Sequence, residues 1–264
     1  MPGWFSAEKK VGNHDQYTAA AAPDVEVPLR WGERAGFLAG LRHLQPQINL
    51  ACIAAETTLE KHMKLFYSPG ACSLAVRIVA GEAGITLETE SVNLADKRTA
   101  SGEDYRKINP KGQVPALILD DGAILTEGPV IMQFLADQKP EANLAPAFGT
   151  MERYRLLEVL GFLNAEIHKS YSPMFHEMTD EARAERKELV RSKYPVLDTL
   201  LEGREWLVGN HFTVADAYMF TLTNWAPFLR VDLSEFENVQ AFQRRMEKRP
   251  HVQAALRAEG LLNQ

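Results

Sequence analysis

From Met63 onward the spacing of apolar residues changes character partway along the chain, and that change limits the folds open to it. Between Met63 and Gln138 short strand-like runs alternate with helical stretches; beyond Lys139-Pro140 only helical spacing remains. The first strand reads Met63-Lys64-Leu65-Phe66-Tyr67, closed by the turn Ser68-Pro69-Gly70. A helix over Ala71 to Ala83 follows, with Leu74, Ile78 and Val79 on one stripe and Gly84 just past its end. Then come a strand at Leu87–Asn93, a short helical stretch at Glu103–Ile108, strands at Ala116–Leu119 and Ala123–Leu125, and a helix over Gly128–Gln138. Asp120-Asp121-Gly122 between the two late strands is a strong hairpin signal. The order β-α-β-α-β-β-α describes a small α/β unit with an early crossover helix and a late antiparallel pair.

Lys139 to Pro146 reads as a linker. Amphipathic helices are expected at Thr150–Lys169, with Leu156, Leu160, Leu163 and Ile167 on one stripe, and at Glu181–Leu201, ended by Gly203. Val214–Phe228 is apolar nearly all round and should be the buried central helix. Phe236–Lys248 and Val252–Glu259 complete a bundle. Thr213 and Asp216 form a Thr-x-x-Asp capping box, a folding device rather than a catalytic pair. The organisation is therefore residues 1–62 unassigned, 63–139 α/β, and 149–264 all-helical. The first 62 residues mix Gly, Pro and charge with an alanine run at Ala19 to Ala22, and show little periodicity before Phe37–Leu44. They read as an extension or as the product of a start codon set upstream of Met63.

Composition narrows the function. With 45% hydrophobic and 24% charged residues among 264, the chain can bury a substantial core. A net charge of −6 argues against nucleic-acid binding. No apolar run approaches the roughly 18 residues of a membrane span, and no secretory signal pattern is present. Cys52 and Cys72 make neither a disulfide framework nor a zinc pattern, so no metal is expected and a reducing cytoplasm is the simplest setting.

Three segments carry chemistry. In Tyr67-Ser68-Pro69-Gly70-Ala71-Cys72-Ser73 a strand hands over to a helix, and Cys72 falls where free N–H groups and the helix dipole favour negative charge. A thiol there, its own or a ligand's, should have a lowered pKa. In Gly112-Gln113-Val114-Pro115, Pro115 opens a strand; a cis Val114–Pro115 bond would leave the Val114 backbone free to pair with an extended ligand. In Leu125-Thr126-Glu127-Gly128-Pro129, Glu127 starts a helix and can meet a ligand ammonium, while the Gly128 N–H can meet a carboxylate. No second cysteine lies three residues from Cys72, so that motif alone offers no dithiol cycle.

These segments, together with Asn109-Pro110-Lys111 ahead of Gly112 and Glu166-Ile167-His168-Lys169-Ser170-Tyr171-Ser172-Pro173, resemble the bacterial beta-class glutathione transferases from about Met63 to Leu261. The resemblance implies a thioredoxin-like N-terminal domain, an all-α C-terminal domain and a homodimer. It implies glutathione as co-substrate, with no other cofactor, and a small electrophile as second substrate. It implies that Cys72 contacts the glutathione sulfur, with a mixed disulfide as a further option. Val114 and Pro115 would present the backbone pairing, Glu127 and Gly128 the γ-glutamyl site, and Lys97 the site for the glycyl carboxylate. His168 and Lys169 would line the cleft from the helical half. Tyr67 stands where other classes place a catalytic tyrosine and is not expected to act as one.

His168 shares a stripe with Leu157, Gly161 and Asn164, and should hydrogen-bond near the sulfur with a pKa suited to neutral pH. Tyr171, Phe175 and Trp225 are expected, with His168, to line the electrophile pocket. Gly161 and Ala165 stand where family members often carry polar side chains that reach the neighbouring subunit's glutathione. Alternatives on the same scaffold are glutathione-dependent thiol–disulfide exchange, dehalogenation or isomerisation, and a non-catalytic binding role.

Overall fold

The computed structural model describes residues 63–262. Cys52 and the reading of residues 1–62 lie outside the described residues. The described α/β and helical halves belong to one compact unit.

The α/β half is built on a five-stranded sheet. Its strands are β1 (Lys64–Tyr67), β2 (Glu88–Asn93), β3 (Arg98–Thr99), β4 (Ala116–Ile118) and β5 (Ile124–Thr126), in the order β3-β2-β1-β4-β5. β2 runs parallel to β1, reached through helix α1 (Ser73–Glu82). β4 and β5 form the expected hairpin, with β4 antiparallel to β1. Helix α2 (Gly128–Gln138) closes the half with the expected bounds. β3 is the addition: a two-residue strand paired antiparallel with the end of β2, too short for periodicity to reveal. The stretch expected near Glu103–Ile108 is a single 3-10 turn, Tyr105–Lys107, capped by the Asp104 carboxylate.

The helical half opens with α3 (Met151–Phe162), whose chain continues through a π-helical turn at Leu163–His168. The long helix expected over Glu181–Leu201 is two, α4 (Asp180–Arg191) and α5 (Tyr194–Leu200). Pro195 lacks the N–H that would reach the Arg191 carbonyl, and its ring would collide with that group. The expected Val214–Phe228 helix divides likewise into α6 (Val214–Thr223) and α7 (Trp225–Leu229). Pro227 removes the bond back to Thr223. Helices α8 (Glu237–Glu247) and α9 (Pro250–Ala258) follow.

Every residue of α6 is buried, as its apolar composition requires. Its start is fixed by the capping box. The Asp216 carboxylate accepts from the Thr213 N–H (2.8 Å), the Thr213 hydroxyl (2.9 Å) and the Leu207 N–H (2.9 Å). Each of these donors would otherwise be buried without a partner. Helix α1 packs against α2, α6 and α9, so the helix that starts at the thiol is the seam between the halves.

Candidate active site

Gly70 has φ 72°, a left-handed conformation that a side chain would strain, and it turns the chain from β1 into α1. Both polar groups of its backbone are held from the helical half. The Glu259 carboxylate accepts from the Gly70 N–H at 2.8 Å, and the Trp225 indole N–H donates to the Gly70 carbonyl at 2.7 Å. Arg77 donates to Glu259 at 3.1 Å and lies 4.4 Å above the Tyr67 ring. The turn that carries the thiol is thus braced from 155 and 189 residues away. No spacing in the sequence could have shown Glu259 in this place.

Cys72 is the N-cap of α1, and its thiol lies 3.4 Å from the Val114 carbonyl, to which it donates. Val114–Pro115 is cis, and Val114 is buried beneath Cys72. The expected fall in thiol pKa is not found. Loss of hydration pushes the Cys72 thiol up to about 12, outweighing the N–H groups of Cys72 and Ser73; Glu127 and Glu259 push the same way. A helix N-terminus favours a thiolate only while the sulfur keeps enough polar surroundings, and here the sulfur is packed against the core.

Glu127 sits at φ 71° as the N-cap of α2, and its carboxylate is paired with Lys111 at 2.6 Å. Lys111 also donates to the Thr126 hydroxyl at 3.0 Å. Lys111, from the Asn-Pro-Lys-Gly segment, is thus a cation beside Glu127 that the sequence reading did not single out. Gly128 is buried against Pro115. As the first helical residue its N–H has no intrahelical partner. Lys97 lies in the turn between β2 and β3 with its stem over Gly112. Lys97, Gly112, Val114, Pro115, Glu127 and Gly128 therefore belong to the loops beyond one end of the sheet, on the side of Cys72.

From the helical half, Trp225 gathers the aromatic cluster. Its ring lies 5.2 Å from His168, 5.7 Å from Tyr171 and 5.1 Å from Phe175, between ring centroids. Phe175 is half exposed. Tyr171 must be moved from the pocket wall to the layer behind it. It is fully buried, and its hydroxyl is shared with that of Tyr194 at 2.9 Å.

His168 also departs from expectation. Burial, with the Lys169 charge second, drives its pKa down to about 4, so the ring is neutral near pH 7 and does not titrate there. Its Nδ1 lies 2.7 Å from the Tyr218 hydroxyl, which donates to the Asn164 carboxamide oxygen at 3.0 Å. Lys169 is exposed, as are Gly161 and Ala165; a β-carbon on Gly161 would meet nothing within 4 Å. Among the described residues no group of three or more His, Cys, Asp or Glu could hold a metal ion, and no helix is long and apolar enough to cross a membrane.

Two family models match these two halves in chain order. Residues 70–138 match the glutathione S-transferase N-terminal domain, and residues 162–250 match the C-terminal domain. The chain is 46% identical over 203 residues to glutathione S-transferase GstA of Escherichia coli O157:H7, across 75% of this chain and 100% of that protein. It belongs to the glutathione S-transferase family. A solved ternary complex of BphK, described as a bacterial glutathione S-transferase, is 47% identical and superposes with a TM-score of 0.73 over 75% of this chain and 100% of that one. A beta-class enzyme from Sphingomonas chungbukensis is 44% identical with a TM-score of 0.73, again over 75% and 100%. The fold of this family member is the thioredoxin-like half plus helical half that the resemblance implied, and its relationship is to the bacterial beta class.

Proposed function

We propose that this chain joins reduced glutathione to small hydrophobic electrophiles, with residues 63–139 holding the tripeptide and 149–264 the electrophile. The observation that carries the reading is the turn at Gly70 to Cys72, where the thiol and the Val114 carbonyl are brought within 3.4 Å beside Glu127 and the open start of α2. A peptide thiol laid across this turn would pair its backbone with Val114, its γ-glutamyl ammonium with Glu127, and its γ-glutamyl carboxylate with the Gly128 N–H. Lys97 is the cation available to the glycyl carboxylate.

In the reaction the glutathione sulfur gives up its proton to solvent or to a neighbouring base, then attacks an electrophilic carbon. The S–C bond forms as a halide or other leaving group departs with its electron pair, or as a double bond accepts the pair. The gain comes from proximity of the two substrates and from a base placed to take the thiol proton as the sulfur attacks. The half-exposed Phe175 and the Trp225 cluster beside it supply an apolar floor for the electrophile. A reducing cytoplasm, where glutathione is held as the thiol, suits this chemistry.

The high pKa of the Cys72 thiol favours conjugation over thiol–disulfide exchange by Cys72 itself, because the thiol form attacks disulfides poorly. Calorimetric titration with glutathione tests the reading, combined with turnover of a chlorodinitrobenzene by wild type and Cys72→Ala. Wild type should bind glutathione, and Cys72→Ala should keep conjugation within about tenfold, since one partly buried hydrogen bond is removed. No binding at millimolar glutathione would end the proposal.

A homodimer is part of the same reading. Met151, Tyr154 and Leu157 make an exposed apolar stripe at i, i+3, i+6 on α3, and Phe148 ahead of them is 73% exposed. An apolar stripe of this kind is the usual mark of a protein contact. Light scattering should give twice the chain mass, and Met151→Lys with Tyr154→Lys should shift it toward one.

A further inference from the structure

The π-helical turn Leu163–His168 interrupts a long helical run at the residue that faces the site. Such turns widen the spacing to i→i+5 and are frequent at functional positions. Within this turn Asn164 and His168 both reach the same buried hydroxyl, that of Tyr218 on α6.

That hydroxyl has one proton, and burial raises its pKa further, so it stays a neutral phenol. The Asn164 oxygen can only accept, and it takes the Tyr218 proton at 3.0 Å. The oxygen of Tyr218, 2.7 Å from His168 Nδ1, is then left to accept, which favours the hydrogen on Nδ1. A neutral imidazole with hydrogen on Nδ1 has a bare lone pair on Nε2. Nε2 has no hydrogen-bond partner among the described residues. The Trp225 ring 5.2 Å away, itself bonded to Gly70, holds the imidazole on the Cys72 side of the helical half.

We propose that Tyr218 and Asn164 are positioning residues that lock His168 as the Nδ1–H tautomer, so that Nε2 meets the glutathione thiol as a hydrogen-bond acceptor and not as a donor to the thiolate. The inference rests on the transferase reading for its substrate and goes beyond it in fixing the direction of the hydrogen bond. When the thiol approaches, its S–H points at Nε2. As the sulfur attacks carbon, that hydrogen is already directed away from the forming bond, and it passes through Nε2 to solvent, leaving the ring neutral again. The low pKa of His168 is consistent with a ring that does not retain the proton.

The test uses the full chain with nitrogen-15 in its histidines. Proton–nitrogen correlation spectra separate the two tautomers, and His168→Gln assigns the resonance. Wild type without ligand should show Nδ1–H at His168. Tyr218→Phe removes the acceptor, and Asn164→Ala frees the Tyr218 proton to turn toward Nδ1; both should move the ring toward Nε2–H. Asn164→Asp keeps an acceptor oxygen and should keep the Nδ1–H form. Steady-state turnover of a chlorodinitrobenzene should fall about tenfold in kcat for Tyr218→Phe and Asn164→Ala, with the KM for glutathione within about twofold of wild type. An Nε2–H ring in wild type, an unmoved tautomer in both variants, or a switched tautomer with unchanged kcat each overturns the proposal. Failure of glutathione to bind at all overturns the transferase reading instead, and it is seen in the titration, not in the ring spectrum.

Discussion

Glu127→Ala is expected to raise the KM for glutathione between about tenfold and a hundredfold while lowering kcat much less. A hydrogen bond between charged partners contributes roughly 1.5–3 kcal/mol, and each 1.4 kcal/mol is tenfold in affinity. In the free protein Glu127 is paired with Lys111, but both side chains are about half exposed, at 54% and 52%. A pair so open to water contributes little to stability, so the substitution should leave the fold intact. The same exposure makes the carboxylate available: a glutathione ammonium can share it with Lys111 or displace that lysine. The backbone of Glu127 has φ 71°, where alanine is no better placed than glutamate, so the substitution reads the side chain and not relief of strain. Glu127→Gln keeps an acceptor oxygen without the charge and should fall between wild type and alanine. Initial rates across a glutathione series measure all three. An unchanged KM in Glu127→Ala would show that the γ-glutamyl end lies elsewhere.

Asp137→Ala should destabilise the protein by about 3 kcal/mol, and Arg153→Met by clearly less. Arg153 on α3 is 2% exposed and forms a two-pronged pair with Asp137 on α2, both bonds at 2.9 Å. It also donates to the Pro146 carbonyl at 3.0 Å, with its guanidinium 4.0 Å over the Phe148 ring. Removing Asp137 leaves a buried cation without its counter-charge, a change that typically costs 3–5 kcal/mol. The low end applies because Asp137 itself is 28% exposed. Removing Arg153 instead leaves a carboxylate that water can reach, and methionine refills the apolar volume. Urea unfolding of the two variants, compared at equal m-values, measures the difference. Equal losses would mean that the burial asymmetry does not govern this pair. Because the pair bridges the two halves across the linker, a large Asp137→Ala effect would also show that they unfold together.

Much of the molecule was legible before any coordinates. The switch from alternating to helical spacing gave the order of both halves, and Asp121-Gly122 gave the hairpin. Thr213 and Asp216 gave the start of the buried helix. All of these are local: a turn, a cap or a period is complete within a few residues, so sequence neighbours are the physical partners. The two helix breaks, before Tyr194-Pro195 and at Asn224 ahead of Pro227, are also written locally, in the two prolines.

The environment of the site was not written that way. The thiol of Cys72 rises to about 12, against expectation, because its hydration depends on everything packed around the sulfur, including groups far along the chain. His168 falls to about 4 for the same reason, and Tyr171 turns inward because Tyr194 waits for its hydroxyl. Glu259 reaches Gly70 across 189 residues, and Tyr218 reaches His168 across 50. Sequence alone determined most of the elements, their order and the family's motif positions, since those follow from short-range sterics and periodicity. Only the tertiary structure decided the protonation tendencies and bracing of the site, since dielectric, burial and hydrogen-bond partners are properties of residues brought together in space.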